Sequence, residues 1–503
     1  MAQIIPIPTA WTEEGTAGVP AWDRERYARY LKATAFYDGD QWIARRRRGE
    51  TRLTVNYARA LVRKVASYVF PAPVTFSVPS AEYSVPSAEY PVPSRFRKAA
   101  QEMDKASHKT LGTGHSVLGT EEAARRAERA LADVVATNDL AHLDVELCVE
   151  ASVLGDAAVK VTWDPTTRQV VVAAVDPATL SAVWRPDNPR LVDEVTHRYL
   201  LTGAAIPRVL GPGIDTAGLE RGRTYRVIER WTPARWTVEV AGQVVRDDPN
   251  PYGWIPYVVA ANNPRPHEFW GESDLVDLYD ICRELNARLS VLARVLELSG
   301  APIAVLENVD GSEGIAVGPG AKWELPEGAK AYLLDLLGGG GVHLHIDYVN
   351  LLYRALHDLS ETPRTAFGDS GRTISGAALE VEVQPLVQKV HRKRRMWEGV
   401  FRERNARILD LLERFGGLDL GGLRRTTTIW PNVLPSDTDS AVRNAVQLVA
   451  HGIHSRHTAI ATLGGDDPDG ELARVIDELS AFSAQPSVLA VVPALPRTQE
   501  VAG

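Results

Sequence analysis

Between Leu275 and Leu296 the apolar positions step by three and four without a break: Leu275, Leu278, Cys282, Leu285, Leu289, Leu292 and Leu296. That alternation lays one apolar seam along a helix. Ser273 offers a cap and Gly300 with Pro302 a stop, so a helix is expected over 271–299. At 1.5 Å per residue it would run roughly 40 Å, as the spine of a bundle or a packing rib between subunits. A second long helix is expected from about Ser375 to Phe415. Leu379, Val383, Leu386, Val390, Trp397, Phe401, Ile408 and Leu411 supply its apolar face, and Pro385 should kink it. The run His391-Arg392-Lys393-Arg394-Arg395 covers most of that helix's circumference, so some of it must face water or a partner. Between the long helices, residues 301–346 read as short apolar runs broken by glycine, a compact β-containing insertion. Residues 348–361 read as a helix with Val349, Leu352, Leu356 and Leu359 on one side, ended by Pro363. A polar loop, TPRTAFGDSGRT, follows.

Upstream, residues 21–70 read as helical. Asp23 is a cap candidate for one segment and Asn56 for another, in which Leu61, Val62, Val65 and Val69 recur until Pro71. Arg45-Arg46-Arg47-Arg48 between them reads as a solvated turn or a polyanion contact. Residues 77–94 repeat SVPSAEY, SVPSAEY, then PVPS; proline every seven residues excludes a helix and favours an extended surface segment, or a duplication without a role. Helix returns over 95–155. Strands follow at AAVKVTW and RQVVVAAV around an Asp164-Pro165 turn, then at TYRVIERWT and WTVEVAGQVV with an Ala241-Gly242 hairpin turn. Residues 436–482 read as short helices: Asp437 or Asp439 opens one that Gly452 ends, Ser455 caps the next, and Asp467-Pro468 opens a third. The proline-containing last twenty residues are expected to be disordered. The fold class this pattern describes is α+β, predominantly helical.

A chain of 503 residues is too long for one hydrophobic core and suggests several domains or an elongated multi-part subunit. A net charge of -8 argues against gripping nucleic acid by bulk positive charge, but not against letting DNA slide past. Cys148 and Cys282 stand far apart in no metal-like spacing, so neither a disulfide framework nor a cysteine metal site is expected, and synthesis in a reducing cytosol is natural. The first residues lack a basic region followed by an apolar core, and Val488–Leu495 is too short to span a bilayer; no membrane role is expected.

The motifs of catalysis are thin. His343, His345 and Asp347 alternate, which on a strand would put them on one face, as a metal would need. No histidine cluster or carboxylate pair elsewhere supports that, and a polar strand face is the plainer reading. Gly338–Gly341 lacks the Gly-Lys-Ser/Thr that completes a phosphate loop. Gly-Asp-Ser-Gly at 368–371 resembles the surroundings of a serine nucleophile but falls in a loop between helices. No cofactor, metal or catalytic residue is expected.

Six stretches, in order, carry a resemblance: FYDGDQW at 36–42, VNYARALVRKVASYVF at 55–70, WGESDLVDLYDICRELN at 270–286, SETPRTAFG at 360–368, ISGAALEVEVQPLVQK at 374–389 and GIHSRHTAIATLGGDDPDGELARVIDE at 452–478. The chain resembles the portal proteins of tailed bacteriophages over most of its length. The resemblance implies a non-enzymatic ring of about twelve subunits at one capsid vertex, closed head-to-tail. It implies an N-terminal wing over 1–271 and a stem helix over 272–299, with Leu275, Leu278, Leu285, Leu289, Leu292 and Leu296 packing it. A clip would span 300–347 and a second stem helix 348–362. A tunnel loop would span 363–375, a kinked helix with a wing return 376–435, a crown 436–482 and a disordered tail 483–503. In the tunnel loop, Arg364, Thr365, Asp369, Ser370, Gly371, Arg372 and Thr373 would face the DNA. Glu324 and Glu327 of the clip would dock the packaging motor. Double-stranded viral DNA would pass without sequence-specific recognition. The partners implied are the subunit itself, the terminase large subunit, the major capsid and scaffolding proteins, and the head-completion or neck proteins. The place implied is the virion's capsid vertex, after assembly in the host cytoplasm. The SVPSAEY repeat stands outside the family pattern. Another phage head structural or connector protein is the alternative, and a metal-dependent nuclease using His343, His345 and Asp347 a more distant one.

Overall fold

A computed structural model of the chain describes residues 21–79 (47 and 49 excepted), 116–300 (212–213 and 215–217 excepted), 304–308, 325, 327–333, 341–369, 376–434, 438–463, 471–472 and 474–476. It divides into two units, Met1–Val433 and Leu434–Gly503.

The first unit is built on one helix, α8 (Gly376–Arg414). Val383, Leu386, Val390, Trp397, Phe401, Ile408 and Leu411 are buried along it, while Leu379 near its start is exposed, off the face expected for it. Pro385 lies inside the helix without ending it. It is exposed, and so is Val381, whose carbonyl loses its partner to the proline ring and is left to water. Around Phe401 an aromatic cluster forms with Phe70, Phe76, Trp397 and Trp430, at centroid separations of 5.4–6.2 Å. These rings join α8 to the end of α2 (Tyr57–Val69) and to the ribbon of β1 (Thr75–Ser77) with β12 (Thr427–Ile429). Asn56 caps α2 as the sequence suggests, accepting from Arg59 N. Asp23 does not cap α1 (Ala21–Asp38); it lies in the first turn and pairs with Arg26, because the helix starts two residues earlier.

Two helices, α3 (Ser116–Thr137) and α4 (Leu140–Leu154), lead into the strands. β2 (Asp156–Asp164) lies between β3 (Gln169–Val175) and β9 (Tyr257–Ala261), all antiparallel. Its Ala157, Ala158, Val159 and Val161 are buried beneath α4 and α8. A second sheet is a plain meander of β4 (Leu180–Arg185), β5 (Asn188–Thr202), β6 (Thr224–Trp231), β7 (Arg235–Val240) and β8 (Gln243–Pro249). The short α5 (Ile206–Leu210) packs on it through Ile206 and Leu210 against Tyr199, Leu201, Val227, Val238 and Val240. Buried Glu229 ties the sheets: it accepts from Lys160 at 2.8 Å, from Trp231 at 2.9 Å and from Tyr199. That satisfaction is what makes its burial tolerable.

The long seam divides. Leu275 and Leu278 precede the helix proper, in and beside a 3-10 turn (Val276–Leu278), and α6 runs Tyr279–Gly300. Leu275, Leu278, Cys282 and Leu285 are buried among Phe36, Leu61, Val62 and Leu356 of the same subunit; Leu289 packs at the cluster's edge and Leu296 is exposed. Beyond α6, β10 (Ala304–Glu307) pairs antiparallel with β11 (Lys330–Leu333), and α7 (Gly341–Ser360) returns along α6. Gly341 and VHLH, expected as part of the β insertion, therefore open α7, where His343, His345 and Asp347 belong to a helix. Positions two apart on a helix point about 200° from each other, so the shared strand face does not exist. Leu359, expected on the buried side of α7, is exposed.

In the second unit α9 (Thr438–Ala450) ends at Gly452, whose φ of 68° suits the left-handed turn there, and α10 (Arg456–Thr462) is capped by Ser455 accepting from Thr458 N. The SVPSAEY repeat beyond Pro79, Asp467-Pro468 and the last twenty residues lie outside the described residues.

The Ala241-Gly242 hairpin turn has positive φ at both positions, 53° and 88°. An alanine there bears the left-handed penalty that asparagine largely avoids. Ala241→Asn is expected to stabilise the protein by about 0.5–1 kcal/mol, read as a higher urea midpoint at unchanged slope.

Candidate functional site

The turn Trp270–Leu275 is where the segments of the first unit converge. Gly155, at φ 102°, ends α4, and Gly271 lies directly against it: a Cβ on Gly271 would collide with the carbonyl oxygens of Asn262 and Gly155. Only glycine allows the backbones at 155, 262 and 271 to approach so closely. Gly271 N donates to Asp156 at 2.8 Å, and Tyr30 of α1 donates to the same carboxylate at 2.5 Å. Burial pushes the Asp156 carboxyl up to about 6, against the downward pull of those hydrogen bonds. Ser273 accepts from Leu275 N at 3.1 Å and donates to Val153 O, so it starts the 3-10 turn instead of capping a helix at 274.

Asp274 is the centre of the arrangement. Lys393 of α8 reaches it at 2.7 Å, and both side chains are nearly fully buried. The ammonium also donates to Asn262 Oδ1 at 2.6 Å and to Ser152 Oγ at 3.1 Å. Asn262 and Asn263 donate to Asp274 Oδ1 at 3.0 and 2.8 Å. Burial opposes the carboxylate's charge, yet Lys393 and Lys389 hold it well below the usual carboxylate range. Nearby, Arg26 lies over the Trp270 ring at 3.6 Å and binds Asp23, Tyr30 and the carbonyls of Pro177 and Leu180.

From this hub α7 and α8 run to the loop between them. Its described part is a short 3-10 helix, Arg364–Phe367, ended by Gly368 at φ 85°. The loop's root is tied at three places. His357 Nδ1 lies 2.6 Å from Thr362 O, and its ring meets Tyr353 edge-on at 4.5 Å. Lys389 donates to Ser360 O at 3.0 Å. Arg392 pairs with Glu361 at 2.5 Å. On the loop Arg364 pairs with Asp369 and lies 5.0 Å over the Tyr353 ring. Thr365 is half-buried, and its hydroxyl finds no partner among the described residues.

Of the residues singled out from sequence, Arg364, Thr365 and Asp369 are thus brought together beside α7, whereas Ser370, Gly371, Arg372 and Thr373 lie outside the described residues. Glu327 is exposed in the turn before β11, far in sequence from Arg364; Glu324 lies outside the described residues. His343 is exposed and has no group of metal-binding neighbours among the described residues. Cys148 and Cys282 are buried free thiols, both pushed up to about 12 by burial. Sequence reasoning missed Lys393, Asp274, Asp156 and His357. The signal for Lys393 was present: a five-residue basic run must turn some member inward, and the lysine did so because a buried carboxylate meets it.

Breaking a buried ion pair strands the remaining charge and costs about 3–5 kcal/mol. Lys393→Met and Asp274→Leu are each expected to destabilise by that amount. The double variant should fall short of their sum by about 2 kcal/mol or more, in equilibrium urea unfolding. Additive losses would show that the two charges do not depend on each other.

A family model described as phage portal protein, SPP1 Gp6-like, matches residues 20–481. No curated protein matches the chain.

Proposed function

The chain belongs to the phage portal protein family, SPP1 Gp6-like, and from that premise we propose that it forms a closed ring of about twelve copies at one capsid vertex, through which genomic DNA is packaged and later ejected. Portal proteins are structural components of the phage head, and the role proposed is structural and not catalytic. The observation that carries the reading is the match across nearly the whole chain, together with the order α6, a small β-ribbon, α7, loop and long α8.

α6 and α7 are the stem in this reading. Leu344, Tyr348, Leu351 and Leu359 recur at helical spacing on α7 and are exposed, as is Leu296 on α6. A lone subunit leaves that stripe in water; a neighbour in a ring would cover it. The segment between α6 and α7, residues 301–340, is the clip in this reading, which would dock the terminase large subunit and then the neck proteins. The stretch Ala301–Ile346 carries six acidic residues against two lysines, which would steer a basic partner. Residues 436–482 are the crown. The N-terminal wing would meet the major capsid and scaffolding proteins.

Residues 363–375 are the tunnel loop. A channel crowded with free cations would bind phosphates and resist sliding. Arg364, already paired with Asp369 and laid over Tyr353, offers the DNA a shared charge and a weak, quickly broken contact. The ties of His357, Lys389 and Arg392 hold the loop's root while DNA pulls on its tip.

Negative-stain micrographs of the purified protein are expected to show rings with a central channel. A monomer by light scattering at high concentration, with no rings in procapsids, would overturn the reading. Arg372→Glu is expected to assemble into rings but to package or retain less DNA; a structure of the ring with this loop on its outer surface would refute the assignment. Charge reversal of Glu324 and Glu327 should weaken motor binding roughly tenfold, about 1.4 kcal/mol, in rings that remain intact; unchanged affinity would remove the clip from motor docking.

A further inference from the structure

The arginine run Arg45–Arg48 has no part in the portal reading so far, and the structure gives it a fixed place. Residues 41–55 form a loop tied to one face of α6. Buried Asn286 donates to Gln41 Oε1 at 2.6 Å and accepts from Val55 N at 2.9 Å; Ser290, one turn further on, accepts from Leu53 N at 2.8 Å. Two residues of extended chain cover about the rise of one helical turn, so the loop runs alongside α6 toward Gly300. Arg52 sets its shape. It donates to the carbonyls of Ala44 at 2.8 Å and Arg45 at 3.0 Å, lies 4.8 Å over the Trp42 ring and pairs with Glu50 at 2.9 Å. Outward from this scaffold stand Ile43, 83% exposed, Leu53, 43% exposed, and the exposed Arg45, Arg46 and Arg48. With Glu50 taken by Arg52, Arg45 and Arg48 meet no carboxylate among the described residues.

The opposite side of α6 carries α7. Tyr348 donates to Glu284 at 3.4 Å, and Arg288 lies 5.7 Å over its ring. Glu284 and Arg288 stand two positions before Asn286 and Ser290, hence about 200° round the helix and only about 3 Å away along it. The outer stripe of α7 steps by three and four through Leu344, Asp347, Leu351, Arg354 and Asp358, all exposed. Leu344 is 73% exposed and Leu351 59%. Asp347 is the charge of that stripe nearest the start of α7, the end toward which the arginines run on the other side; Arg354 lies about two turns further off. One subunit thus presents, at one level of α6 and facing opposite ways, a basic loop with exposed aliphatics and an aliphatic stripe with an acidic near end. A head-to-tail ring needs two unlike patches placed in that way.

We propose that in the ring the loop 41–55 of one copy docks on the outer stripe of α7 of the next, with Ile43 and Leu53 covering Leu344 and Leu351 and the arginines reaching Asp347. The inference rests on the ring proposed above and names the two surfaces that close it. Aliphatic cover supplies attraction, and the opposite charges set the register. A phosphate backbone would satisfy the arginines but leave Ile43 and Leu53 in water, so a second copy of this chain fits the loop better than DNA.

Full-length protein carrying Ile43→Cys together with Leu344→Cys tests it. Within one chain the width of α6, about 10 Å, separates the two positions, more than the roughly 7 Å that the Cα atoms of a disulfide allow. Mild oxidation should therefore join neighbouring copies into a ladder of covalent multimers on a non-reducing denaturing gel, and neither single variant should give that ladder. Arg45→Glu with Arg48→Glu should lower the yield about fivefold or more. Adding Asp347→Arg should restore most of it, a recovery that general loss of folding would not show. Rings in negative stain without a ladder would overturn this proposal and leave the portal reading standing; absence of both would overturn both. A yield that the arginine variants leave unchanged, with binding of duplex DNA lost instead, would assign the loop to DNA and overturn the proposal.

Discussion

Lys393 meets Asp274 inside the protein, and the parts of the first unit are arranged around that meeting. Neither charge could stay buried alone; the cost would be several kcal/mol. Ser152 at the end of α4, Asn262 after β9, Asn263 and the turn at 274 supply the hydrogen bonds that make the pair tolerable. Because these groups span the chain from Ser152 to Lys393, satisfying one pair fixes the start of α6, the end of β9 and the middle of α8 together. The close backbone contact of Gly155 with Gly271 is what lets the carboxylate arrive at that depth.

The hub lies just before α6 and in the middle of α8, close to the root of the loop between α7 and α8. The loop between α7 and α8 begins at residues tied by His357, Lys389 and Arg392, and the last two lie one turn and one residue before Lys393 on the same helix. In the proposed tunnel-loop role, force on the loop would pass to a helix that the buried pair anchors. Burial pushes the Lys389 ammonium down, while the Asp274 carboxylate pulls it back up, so the two lysines and the one aspartate share a single balance of charge.

The surface left apolar divides by place. The stripe on α7 and Leu296 on α6 belong to the part of the chain where a neighbouring copy is expected, and their exposure is a property of the isolated subunit. The groove of Trp184 and Trp270 lies instead beside the first helix. Apolar area in water is costly at roughly 25 cal/mol per Å².

Much of this was legible from the chain itself. Period and punctuation located α2 with its Asn56 cap, the long α8 with its internal proline, the β2–β3 hairpin and the Ala241-Gly242 turn, because these depend on neighbours within a few residues. The ordered motifs located the family. The start of α7 was misread because a glycine run followed by alternating His343 and His345 has no helical period of its own; packing along α6 decided it. Leu275–Leu296 read as one uniform seam, yet its first half is core and its second half surface, a difference set by where α1, α2 and α7 happen to end. The sequence by itself determined the elements and the family, since both are written in local spacing. Tertiary structure alone decided that Lys393 is buried and its neighbour Arg392 is not, because a charge's burial depends on the partner that folding brings to it.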